Sequence, residues 1–144
     1  STSMPDVYLL GKPDEIEALA PDDAPDEIAL CLNTGPLDRE ARLPLYALLE
    51  GLLIEEAGGL ESLVQAIDAD GPYLFRVDEK VCDKLARFED EAVETLLLNW
   101  SACAAIEGLQ IDQDDLLKFL FELTHLCKIR DQNSDLELYL YHEG

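Results

Sequence analysis

The sequence predicts an α+β domain in which a small, mostly antiparallel sheet of three to four short strands is packed by five to six helices. Two patterns carry that prediction. Short apolar runs with a period of two recur at residues 7–10, 28–32, 73–77 and 136–140, and between them apolar residues return every third or fourth position, as on one face of a helix. Chain length sets the scale: 144 residues, 48% of them hydrophobic, suffice for one core and not for two. A single domain is expected over 4–144, with Ser1, Thr2 and Ser3 ahead of Met4 reading as a cloning remnant.

Val7 to Leu10 makes the first strand, ended by Gly11, and Ile16, Leu19 and Ala20 place a short helix over 13–20. Pro21 to Asp26 turns the chain into a second strand, where Ile28, Leu30 and Leu32 face one way and Cys31 the other. Leu45, Leu48, Leu49, Leu52 and Leu53 recur at helical spacing within 37–56, with Pro44 at the expected start, since proline inside a helix removes a hydrogen bond. Gly58 and Gly59 end that helix, and Leu60 to Ile67 reads as a short second one. Asp70-Gly71-Pro72 then turns into a strand at Tyr73 to Val77.

Asp78 is placed to cap a helix over 79–88, and Glu89, Asp90 and Glu91 put negative charge at the start of the next, expected to reach Ile106. Trp100 shares a face there with Val93, Leu96 and Leu97, so it is assigned to the core rather than to a binding surface. Asp112 opens the longest helix, which has Asp114 and Asp115 in its first turn and Lys128 and Arg130 in its last, both matched to the macrodipole. Its apolar row of Leu116, Leu120, Leu123 and Cys127 is widened by Leu117, Phe119, Phe121 and Leu126, which predicts a central position. Leu136, Leu138 and Leu140 finally alternate with Glu137, Tyr139 and Tyr141 as a terminal strand.

Charge narrows the choice of partners. Against 32 Asp and Glu stand 10 Lys and Arg, a formal net charge of -22 that repels nucleic-acid phosphates and anionic membranes. The acids divide equally between residues 1–70 and 71–144, so the charge belongs to the folded surface and not to a tail. No run approaches the roughly 20 apolar residues of a membrane span, and no signal peptide opens the chain. Cys31, Cys82, Cys103 and Cys127 are widely spaced, with no C-x-x-C pair, and read as free thiols in a reducing cytoplasm.

Signatures of catalysis and metal binding are missing. His125 and Cys127 lie two residues apart on one helix and so face different ways; His125 is read as a partly buried core histidine and His142 as a terminal surface one. Asp68-Ala69-Asp70-Gly71 opens like a calcium loop, yet Tyr73 stands where that loop needs its glycine. No phosphate-cradling, zinc-protease or nucleophile-elbow motif occurs. The expectation is a non-enzymatic protein without metal or cofactor.

The stretch from Val77-Asp78-Glu79-Lys80 through Asn99-Trp100 to Leu138-Tyr139-Leu140 resembles, in its helix-helix-helix-strand layout, bacterial toxin-neutralising immunity proteins, as does the whole chain in size and acidity. That resemblance implies a small acidic cytoplasmic protein that blocks a cognate basic toxin by direct binding. Three other readings compete: a secretion chaperone that holds an extended effector segment along a sheet edge or groove, an acidic mimic of nucleic acid, and a salt-adapted protein whose acids only solvate it. For a protein partner the terminal strand offers a docking face of Glu137, Tyr139 and Tyr141, aromatic anchors beside acid, unless both rings pack against neighbouring elements. The second choice is the acidic helical surface of Glu89, Asp90, Glu91 and Glu94.

Overall fold

Five strands, β1 (Val7–Gly11), β2 (Leu30–Asn33), β3 (Glu61–Ala66), β4 (Tyr73–Val77) and β5 (Glu137–His142), form one antiparallel sheet in the order β2-β1-β5-β4-β3. With them run six α-helices, α1 (Pro13–Ile16), α2 (Arg39–Glu50), α3 (Glu79–Ala86), α4 (Asp90–Ser101), α5 (Ala104–Glu107) and α6 (Gln113–Gln132), and 3₁₀ turns at Pro25–Glu27 and Ile54–Leu60. This computed structural model describes residues 4–144, so the expected remnant at 1–3 lies outside the described residues. The fold is α+β as the sequence predicts, with one strand more than the expected maximum.

The additional strand is β3, which replaces the helix expected over Leu60 to Ile67. It pairs with β4 across the Asp68–Pro72 turn, and its register shifts between Leu63 and Gln65. A bulge of this kind breaks strict alternation, and the resulting spacing of Leu60, Leu63, Val64 and Ile67 mimics the period of a helix. Two further boundaries move. Pro44 sits inside α2 rather than at its start, because Asp38 caps the helix by accepting a hydrogen bond from the Ala41 amide at 3.1 Å. The helix stops at Gly51, whose left-handed φ of 64° suits glycine. The helix expected from Glu89 to Ile106 breaks at Cys103, which is extended (φ -71°, ψ 142°) and starts α5.

The caps expected at Asp78 and Asp112 are present, each side chain accepting from the amide two residues on. On one face of the sheet Tyr8, Leu10, Leu138 and Leu140 meet the helical layer, where Trp100 is fully buried and donates its Nε1–H to the Ala41 carbonyl at 2.9 Å. The second face is covered as well. Leu9, Leu74, Tyr139 and Tyr141 pack beneath Ile16, Leu19 and Ile28 of the segment that runs from α1 to β2. No helix among the described residues is long and apolar enough to cross a membrane.

Within α6 the Thr124 hydroxyl is buried without a hydrogen-bond partner among the described residues. An unpaired buried hydroxyl costs on the order of 1–3 kcal/mol. Replacing it by the nearly isosteric Thr124→Val is expected to raise unfolding stability by about 1 kcal/mol, read as a higher urea midpoint at unchanged slope. A lower midpoint contradicts the assignment.

Candidate functional site

The polar centre of the molecule comes from a stripe on α2. Arg39, Arg42 and Tyr46, spaced three and four residues apart, share one helix face turned toward the sheet. Arg42, only 1% exposed, donates from Nε and Nη2 to Glu61 at 2.8 and 3.1 Å. Its Nη1 donates to Asp6 and to the Leu37 carbonyl, both at 2.8 Å. Tyr46 donates to Glu61 and lies 2.6 Å from the Tyr8 hydroxyl, while Arg39 donates to Glu61 Oε1 at 3.1 Å and stacks over Phe75. Burial alone would lower the pKa of Arg42, but the hydrogen bonds and charge of Glu61 carry it above its ordinary value. Burial, then the charge of Glu61, pushes the Tyr8 and Tyr46 hydroxyls well up.

A recess of about 270 Å³ opens over this network, and His142 stands at its mouth with Nδ1 2.6 Å from Asp6 Oδ1 and its ring stacked on Tyr73. Carboxylate beside imidazole is how a base is oriented, yet among the described residues no hydroxyl or thiol lines the recess, and its other charges are Asp38, Arg39, Glu40, Arg42 and Glu61. Four of the five N–H groups of the Arg42 guanidinium donate within the protein. This cluster is a structural clasp. Sequence inspection passed over it, although the Arg39-Arg42-Tyr46 spacing, polar groups on the inward stripe of a leucine-rich helix, was a visible signal.

The terminal-strand docking face needs correction. Tyr139 is 0% and Tyr141 5% exposed; the Tyr139 hydroxyl donates to Glu17 at 2.6 Å, and both rings lie under the α1 segment. Glu137 is half-buried between Arg76 at 3.0 Å and Arg130 at 3.2 Å. A face covered by another layer, with its acid already paired, offers no anchor to a partner. Glu89, Asp90, Glu91 and Glu94 are all exposed, at and just before the start of α4. The histidines also differ from expectation. His125 is exposed on α6, and His142 is tied to Asp6.

A wide concavity lies between β2, at the edge of the sheet, and α6. It encloses about 680 Å³, with Leu30, Cys31 and Leu32 on the strand side and Leu117, Phe121, Leu126 and Ile129 on the helix side. Asp114, Lys118, Glu122 and His125 form its polar rim. The widened apolar face of α6 explains it: Leu116, Leu120, Leu123 and Cys127 enter the core, while Leu117, Phe121 and Ile129 remain half-buried on the groove wall. Inside the core the Cys127 thiol, hydrogen-bonded to Cys82 and buried, is pushed well above its ordinary pKa, which makes it unreactive near neutral pH. All four cysteines are free.

No family model, curated protein or solved structure matches this chain. The groove and the surface charge therefore carry the functional argument.

Arg42→Met removes the cation that Glu61 and Asp6 share, leaving Glu61 with Arg39 alone, and is expected to cost about 3–5 kcal/mol in denaturant unfolding. Adding Glu61→Leu to that variant should restore part of the loss, and a double variant no more stable than Arg42→Met contradicts the clasp. Alkaline stability follows from the tyrosines. Above about pH 10 the unfolded chain releases tyrosine protons that folded Tyr8 and Tyr46 retain, so the native state binds more protons and stability falls as pH rises. The melting temperature should drop from pH 9 to 11, and drop less in a Tyr8→Phe variant.

Proposed function

We propose that the protein is a non-enzymatic acidic binding protein that neutralises a basic toxin by occluding it, the role of an immunity protein. The observation that carries this reading is the fate of the cations. Of the ten, Arg39, Arg42, Arg76, Lys118 and Arg130 are held in ion pairs, and Lys128 Nζ donates to the Ala86 and Phe88 carbonyls at 2.8 and 2.9 Å. Only Lys12, Lys80, Lys84 and Arg87 remain outside such bonds among the described residues, against a net charge of -22. Six of the ten, Lys12, Arg76, Lys80, Lys84, Arg87 and Lys118, are exposed, but exposed carboxylates far outnumber them, so the surface keeps a large negative excess. Such a field draws a cationic protein in quickly and repels polyanions.

Charge alone supplies speed more than grip. Retention needs desolvated apolar contact, and the groove between β2 and α6 provides an apolar surface for it. The same groove favours a second reading, an effector chaperone, because an open sheet edge beside an apolar trough also suits an extended segment. A neutraliser binds the folded toxin and abolishes its activity at one-to-one stoichiometry; a chaperone binds only the unfolded or unassembled chain.

The test is capture of the partner from the source cells, followed by binding with purified components. Association is expected to slow at least tenfold between about 50 and 500 mM salt, with dissociation little changed. The pair Glu91→Lys and Glu94→Lys should slow association further at low salt. An uncharged or acidic partner, or salt-independent association, refutes the proposal.

A further inference from the structure

We infer that β2 accepts an added strand from the partner, a segment in which bulky apolar residues alternate with lysine or arginine. The inference rests on the reading that the partner is basic, and adds how it is held. Among the described residues β2 pairs only with β1, which leaves its outer edge open. The Thr34 amide donates to the Asp6 carbonyl at 3.0 Å, which fixes the phase of the β1–β2 ladder. By the alternation of an antiparallel pair, Leu30 and Leu32 turn their backbone groups to β1, while Cys31 and Asn33 turn theirs outward. Two donors and two acceptors thus line the edge at the spacing of a strand.

Both sides of that edge are hollow, and Cys31 lines both hollows. On the helical side lies the 680 Å³ groove, walled by Leu117, Phe121 and Ile129. On the opposite side a recess of about 360 Å³ is lined by Val7 and Pro25, with Asp26 and Glu143 as its charged groups among the described residues. Successive side chains of an added strand point alternately to the two sides. One set fills the apolar groove. The other lays aliphatic stems over Val7 and Pro25 and sets cationic heads beside Asp26 and Glu143, the way lysine and arginine pack on mixed surfaces.

The opposite edge, β3, is interrupted by its bulge, a usual protection against pairing, whereas β2 pairs with β1 in unbroken register. Leu30 of β2 is 51% exposed. A second copy is disfavoured as occupant, because two chains of charge -22 repel and would bring like carboxylates together at Asp26 and Glu143.

Two synthetic ten-residue peptides of identical composition test this with the intact protein, one alternating valine and leucine with arginine, the other carrying its arginines in one block. Titration calorimetry is expected to show the alternating peptide at least tenfold tighter, and amide exchange at Cys31 and Asn33 to slow when it binds. Leu117→Lys on the groove side, and Asp26→Lys with Glu143→Lys on the other, should each weaken it about tenfold. Cys31→Pro, which removes an outward amide and no ladder bond, should abolish the preference; should it fail to fold, the other variants and the exchange data decide alone. Equal binding of both peptides without protection overturns strand addition and leaves the basic-partner reading standing, whereas failure of both to bind overturns the two together. A dimer of the free protein that Cys31→Pro dissolves assigns the edge to self-pairing and also overturns it.

Discussion

The guanidinium of Arg42, held between Glu61 and Asp6 in the interior, ties together segments that lie far apart in the sequence. A buried charge must be paired along most of its hydrogen-bonding perimeter, so the three groups can meet in only one arrangement. Glu61 is the first residue of β3 and points inward; a slip of one residue in that strand would turn it to solvent and strand Arg42. Asp6 stands just before β1 and also anchors Thr34 and His142, so the clasp joins α2 to the start of two strands and to the end of a third. Register across the sheet follows from it.

Filling both faces of the sheet decides what the surface can do. Helices cover one face, and the α1 segment, with its following turn, covers the other and seals Tyr139 and Tyr141 beneath it. Neither face is left for a partner. Contact must come at an edge or on the helices, and the two edges are unequal, since β3 carries a bulge and β2 borders a trough that α6 leaves unfilled.

Charge and fold are linked in the same way. Ten cations against 32 acids leave a carboxylate excess on the exterior, even though buried Arg42 takes Asp6 and Glu61 inside with it. For the basic partner proposed, such a surface would select by sign at long range and hold by apolar contact at short range, two separable components of recognition.

Periodicity and composition in the sequence determined the α+β class, four of the five strands, the caps at Asp78 and Asp112, the burial of Trp100 and the negative surface, because each depends on a residue and its near neighbours. The bulged β3 looked helical because one extra residue changes the phase that periodicity measures. Pro44 looked like a helix start because local rules weigh its missing amide and not the Asp38 cap together with the packing that outweighs it. Glu137, Tyr139 and Tyr141 looked exposed because alternation tells which residues share a face, not whether another layer covers it. The Arg42 clasp, the covering of the second face and the open edge of β2 were decided only by tertiary structure: each arises where segments distant in sequence meet, and the solvation cost of a buried charge or an unpaired strand edge is set at that meeting.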